Sequence, residues 1–172
     1  MRLYRGQIPT ICEEIAKALV EQQLVEIDPQ RRPEVLLDIE AVVKEYMRLQ
    51  RDINEKAKDH VASRNLDYSQ VSKVRQQLSE QRGMGVGDRS MDWLLNQLVE
   101  VMLHSKNVEE VFGQDHELRR VMRDVLRKFG DTDKELDRQV RARIKNLQEG
   151  TTTWEVEYER VMGEVRDRQR LD

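Results

Sequence analysis

Three histidines, one cysteine and a few adjacent carboxylates are the residues of this chain whose types most readily do chemistry. A metal site needs convergent ligands. None of His60, His104 and His116 stands three or four residues from another, and no Cys-x-x-Cys or His-Glu-x-x-His run occurs, so zinc has no signal. A helix-borne diiron site would need Glu-x-x-His pairs, yet the residues three before the histidines are Ala57, Val101 and Gly113. All three histidines are therefore expected on solvated faces. Cys12 falls on an apolar stripe with Ile8, Ile11, Ile15 and Leu19 and reads as a core thiol. No serine stands in a Gly-x-Ser-x-Gly elbow. Glu13-Glu14 and Glu109-Glu110 are adjacent in sequence, hence ~100° apart on a helix and unable to share a proton. Asp131-Thr-Asp133 reads as helix capping, since the other ligands of a calcium loop are missing. Gly83-Met-Gly-Val-Gly87 has neither the preceding strand nor the Lys-Ser/Thr of a phosphate loop and reads as a linker. These residues point to no catalysis, no cofactor and no metal.

Two features suit binding instead. Between His116 and Leu147 stand ten basic residues against six acidic ones. Arg120, Arg123, Arg127 and Lys134 can share one helical stripe, and Arg138, Arg141 and Lys145 follow at i, i+3 and i+7. Such a stripe could meet phosphates or an acidic partner. The interleaved Glu117, Asp124, Asp131 and Asp137 favour an ion-paired, solvated face, and a net charge of −3 gives no global pull toward nucleic acid or anionic lipid. The tail Arg166-Asp-Arg-Gln-Arg170 is similarly mixed. The second feature is Trp93, which lies off the Met91, Leu94, Leu95, Leu98 stripe and so contacts either the rest of the chain or a partner.

The elements that must position these residues follow from composition and spacing. Of 172 residues, 38% are apolar, 37% are charged and only eight are aromatic, which suits helices and not an all-β fold. No apolar run reaches the ~20 residues of a membrane span. The opening Met1-Arg-Leu-Tyr-Arg-Gly is unlike a secretory signal, and a lone cysteine suits a reducing compartment, so a cytoplasmic location is expected. Displacing the chain by 83 residues places Ile8, Ile11, Ile15 and Leu19 on Met91, Leu94, Leu98 and Met102. The same register carries Val35, Ile39, Val42 and Tyr46 onto Leu118, Met122, Val125 and Phe129. An internal repeat follows, with three helices in each copy.

The first helix is expected to start at Pro9. The second is long and starts near Pro33. Its series Val35, Ile39, Val42, Tyr46, Leu49, Ile53 is a heptad seam to be filled by this chain or by a second one. The third is expected from Asp67 or Ser69 to Gly83. In the second copy, Asp88 or Ser90 is expected to cap a helix over about 90–105, and Asp115 the next. Gly130-Asp-Thr-Asp133 is expected to break that helix, with Asp133 recapping a second piece to about residue 148. Gly150 ends it, and Thr152 with Glu155 forms a capping box for the last helix, whose face is Trp154, Tyr158, Val161, Met162 and Val165. That face is expected to pack on the two preceding helices. The fold class is all-α: a three-helix unit over 1–83, a Gly-rich linker over 84–89 and a second three-helix unit over 90–172.

The opening Met1-Arg-Leu-Tyr-Arg-Gly-Gln-Ile8 with Val25-Glu26, and the closing Ile144-Lys-Asn146 followed by Glu149-Gly-Thr-Thr-Thr-Trp-Glu155, resemble the bacterial family called domain of unknown function 507. The resemblance covers nearly the whole chain, as a long, duplicated form. It implies a helical, cytoplasmic protein and supplies no activity, substrate or catalytic residue. The functional expectation is accordingly a non-enzymatic helical module for protein partners or for self-assembly. Trp93, Arg120, Arg123, Arg127, Arg138, Arg141 and Lys145 are its candidate contact residues. Association with nucleic acid or the ribosome through the basic stripe is the alternative.

Overall fold

The computed structural model describes residues 1–149 and 151–169, apart from the side chains of Asp131 and Asp133. Six α-helices and one two-residue strand pair form among these residues: α1 (Ile8–Glu21), β1 (Val25–Glu26), α2 (Arg32–Ser63), α3 (Val71–Gln81), α4 (Asp88–His104), β2 (Glu110–Val111), α5 (Asp115–Arg143) and α6 (Thr152–Gln169). The fold is all-α. Pro9 and Pro33 sit in the first turns of α1 and α2, where the missing N–H costs nothing. Asp67 starts the third helical segment. Its carboxylate accepts the Ser69 backbone N–H at 2.9 Å, opening a 3-10 turn that leads into α3.

Four helices close the main core. α1 packs on α2 and α5, and α4 packs on the same two, so the bundle is a ring with α1 diagonal to α4. Ile11, Ile15 and Leu19 of α1, Ile39 and Tyr46 of α2, Leu94 and Leu98 of α4, and Leu118 and Met122 of α5 share one apolar cluster. The expected units 1–83 and 90–172 therefore do not each enclose a separate main core. β1 and β2 pair antiparallel, Val25 opposite Val111 and Glu26 opposite Glu110, and tie the two loops together at one end.

The far halves of α2 and α5 leave the bundle as two helical arms. Ala57 and Val61 of α2 pack on Val71 and Val74 of α3. Leu136, Val140 and Ile144 pack on Trp154, Val161, Met162 and Val165 of α6, with Tyr4 of the N-terminal segment among them. The expected face of the last helix thus meets α5 and Tyr4, with no α4 residue in its cluster. Lys58 and Glu159 form an ion pair between the arms.

Several expectations are corrected. α5 runs unbroken from Asp115 to Arg143. Gly130 does not break it. A Cβ there would lie 3.3 Å from Met1 Cγ and Sδ, so the glycine makes room for the N-terminus instead, at the modest cost of one helical glycine. Gln114, not Asp115, caps α5, in a capping box with Glu117. Ser90 is buried and bonded to Tyr46. It caps nothing, and α4 begins after Gly87. Thr151, one residue before the expected cap, accepts the Trp154 N–H at 3.2 Å. The Gly83–Gly87 stretch is not slack. Its three glycines all have positive φ, Met84 between them is 2% exposed, and the Ser79 hydroxyl donates to the Gly85 carbonyl. The expected cap by Asp133, the cation reading of Asp131 and Asp133, the stop at Gly150 and the end of the tail at Arg170 lie outside the described residues.

Candidate partner-binding groove

Tyr46 organises the surface where α2 and α4 meet. Its side chain is fully buried, and its hydroxyl donates to the Met1 carbonyl at 2.9 Å and stands 2.7 Å from Ser90 Oγ. Gln50 Nε2 donates to the same phenol oxygen at 2.8 Å and to the Met1 carbonyl at 3.0 Å. The phenol thus binds the N-terminus, α2 and α4 together. Trp93 stacks on its ring at 6.2 Å between centroids and remains half-buried. Of the two readings of Trp93, packing on the first half of the chain is thus realised, while one side stays in contact with solvent.

The heptad seam of α2 is filled within the chain, with one gap. Val35, Ile39, Tyr46 and Ile53 are buried by neighbouring helices, whereas Val42 and Leu49 are only half-buried. Beside Val42 opens a depression of about 310 Å³, lined by Asp38, Ala41, Val42, Glu45, Trp93, Gln97 and Val101. A second, shallower depression of about 480 Å³ shares Asp38 and Val101 and continues past Glu100 and His104 to Asn107. Together they form one open groove between α2 and α4.

Asp38 stands where the two depressions join. Its Oδ2 accepts the Ser105 hydroxyl at 2.5 Å and the Asn107 side-chain N–H at 3.0 Å. Ser105 Oγ in turn accepts the Asn107 backbone N–H at 3.1 Å, and Arg31 donates to the Lys106 carbonyl at 2.7 Å. The turn after α4 is thereby fixed, and the carboxylate is held by neutral donors. On the rim, Glu45 pairs with Arg48 at 2.7 Å and Glu100 with His104 at 3.3 Å. The hydrogen bond from Arg48 holds the Glu45 carboxyl below its ordinary range.

The candidate basic residues divide into ion-paired and exposed ones. Arg123 pairs with Asp92 of α4 at 2.6 Å and Arg138 with Glu135 at 2.7 Å. Arg141 pairs with Asp137 and Glu149, both at 2.8 Å, and lies 5.3 Å over the Trp154 ring. Hydrogen bonds to Glu149 and then Asp137 raise its pKa further. Arg120, Arg127 and Lys145 are exposed and make no ion pair among the described residues. Lys145 also lies beyond the end of α5.

Arg141 belongs to a knot between the ends of the chain. Trp154 and Tyr158 stack at 4.9 Å, and the Tyr158 hydroxyl donates to Asp137 at 2.6 Å. Burial, followed by that hydrogen bond, pushes the phenol pKa well above its ordinary value. The guanidinium groups of Arg2 and Arg166 lie 5.7 and 5.8 Å from the Tyr4 ring. The opening and closing motifs of the sequence therefore meet in one structural cluster.

His104 and His116 are exposed, and His60, expected on a solvated face, is half-buried at the end of α2. Cys12 is buried, and desolvation with help from the nearby Glu40 charge pushes its thiol up to about 12. Among the described residues no group of three His, Cys, Asp or Glu side chains could hold a metal ion. Sequence reasoning singled out Trp93, placed Val42 in the seam of α2, and passed over Asp38, Gln97 and Val101. The adjacent Val42 and Val43 carried a further signal: two neighbouring apolar residues cannot both face the centre of one core stripe.

Fold and groove define a class: a ring-packed four-helix body with two helical arms and an open apolar surface between α2 and α4. The chain belongs to the family described as protein of unknown function (DUF507), whose pattern matches residues 1–171. No curated protein matches it.

Proposed function

We propose that the protein is a non-enzymatic helical interaction module that receives a protein partner along the α2–α4 groove. The observation that carries this is the half-buried Trp93, stacked on a fixed Tyr46 beside the open floor formed by Val42 and Val101. Rigid aromatic side chains held at the edge of an apolar depression are the usual anchors of protein–protein binding. A cytoplasmic setting fits this reading, and no described helix is long and apolar enough to cross a membrane. The order helix, strand, helix, helix occurs twice along the chain, which supports an origin by duplication.

The second reading, nucleic-acid binding along α5, draws support from Arg120 and Arg127, whose charges meet no acidic side chain among the described residues. One experiment separates the two. The tagged protein is used to capture partners from lysate with and without nuclease, beside an Ala41→Arg/Gln97→Arg variant and an Arg120→Glu/Arg127→Glu variant. None of these four side chains is buried, so both variants should fold. The groove reading expects nuclease-resistant partners lost only with the first variant. Partners lost on nuclease treatment and with the second variant would replace it by the α5 reading.

A further inference from the structure

We infer that the groove's occupant is a helical segment of another protein that carries lysine or arginine beside aliphatic or aromatic anchors. This rests on the groove reading above. Its floor is apolar at Val42, Val101 and Trp93; of its carboxylates Glu45 pairs with Arg48 and Glu100 with His104, Asp38 pairs with no cation among the described residues, and Lys106 stands at the far end. Asp38 is the strongest indication. Its Oδ2 is held by Ser105 and Asn107, both neutral, and it has no ion-pair partner among the described residues. A carboxylate fixed in place beside an apolar floor, with no cation of its own, is complementary to a cation brought by a ligand.

The dimensions suit a helix. Trp93 and His104, which bound the groove along α4, are eleven residues apart, about 16 Å at the helical rise, or three turns of a bound helix. Anchors at i, i+3 or i+4, and i+7 would then reach the floor while the flanking cations face the rim. The exposed basic face of α5 does not serve as this occupant from a second copy. The large apolar side chains that are exposed, such as Leu37, Leu103 and Phe112, include none on α5, so that face offers no anchor.

The test uses the full chain and two fluorescein-labelled 16-residue helical peptides with the same leucine face, one with lysine and one with glutamate on its flanks. Fluorescence anisotropy should give saturable binding of the lysine peptide and at least tenfold weaker binding of the glutamate peptide. Ala41→Arg/Gln97→Arg should abolish binding. Asp38→Asn/Glu45→Gln/Glu100→Gln should weaken it roughly tenfold, as three partly exposed charge pairs imply. If the triple variant unfolds, Glu100→Gln alone should still weaken binding measurably. Equal binding of both peptides, preference for the glutamate peptide, or lysine-peptide binding indifferent to these variants would overturn the inference. Failure of both peptides, while Ala41→Arg/Gln97→Arg still strips captured partners, would overturn the charge assignment and leave the groove reading standing. Self-association in sedimentation that Ala41→Arg/Gln97→Arg breaks would replace the foreign helix by a second copy.

Discussion

Removing one oxygen, in Tyr46→Phe, tests the junction that builds the groove. The phenol sits in a fully buried position and bonds to the Met1 carbonyl, Ser90 and Gln50 at 2.9, 2.7 and 2.8 Å. The substitution keeps the ring and its stacking on Trp93, so no cavity term enters. What is lost is one hydroxyl and, with it, the partner of the buried Ser90 hydroxyl and one of the two donors to the Met1 carbonyl, which keeps Gln50 Nε2 at 3.0 Å. Stranding such groups costs about 1–3 kcal/mol. At about 2 kcal/mol, Tm should fall by roughly 4–8 °C in a chain of this size. Urea unfolding followed by circular dichroism should show a lower midpoint with an unchanged slope. Ser90→Ala should be destabilising alone, and the double variant less destabilised than the sum, with a coupling of about 1 kcal/mol. Tyr46→Phe matching the parent within about 0.3 kcal/mol, near the scatter expected of independent sites, or strict additivity with Ser90→Ala, would refute the junction.

Residues 1–83 expressed alone should bind hydrophobic dyes and melt without a cooperative transition, because their α1 and α2 faces are completed by α4 and α5; a cooperative melt of that fragment would contradict the shared core. Gly85→Ala should destabilise more than Gly83→Ala in urea titrations. Both residues have positive φ, which costs a side chain about 1–2 kcal/mol, but only at Gly85 would a Cβ meet Arg89 Cβ, at 2.7 Å; equal effects would contradict this. Cys12 should resist thiol reagents at pH 8 until the protein unfolds. Its folded pKa is raised to about 12 from an ordinary 9.0, so its contribution to stability is complete below pH ~9 and is lost as the pH rises toward 12, where only the unfolded chain readily ionises. Rapid labelling of the native protein would contradict its burial.

How much of this could be read from the chain depended on the range of the forces involved. Helix starts next to Pro9 and Pro33, the start of the third helical segment at Asp67 or Ser69, of which Asp67 is realised, and the end of α3 just before Gly83 are set by residues within a turn of the event, and were legible to within a residue or two. So were the apolar stripes of α1 and α4. Gly130 misled because the helix around it is kept by packing on both sides, while the reason for the glycine, Met1, lies far away in sequence. Asp115 lost the capping position to Gln114 because Glu117 could complete a box only one residue earlier. β1 and β2 are too short to show a period of two. Ser90 and Met84 read as cap and linker because their partners, Tyr46 and the shared core, are non-local. The groove was half legible: the unusual position of Trp93 was visible, whereas Asp38 acquires meaning only once Ser105 and Asn107 close on it.

The most direct measurement is site-specific photo-crosslinking in living cells, with the reactive residue placed in turn at Ala41, Gln97 and Arg127. If the groove receives the partner, one protein adduct of the same mass should form from positions 41 and 97 and none from position 127. Adducts confined to position 127, or formed equally from all three, would contradict the groove as the functional surface.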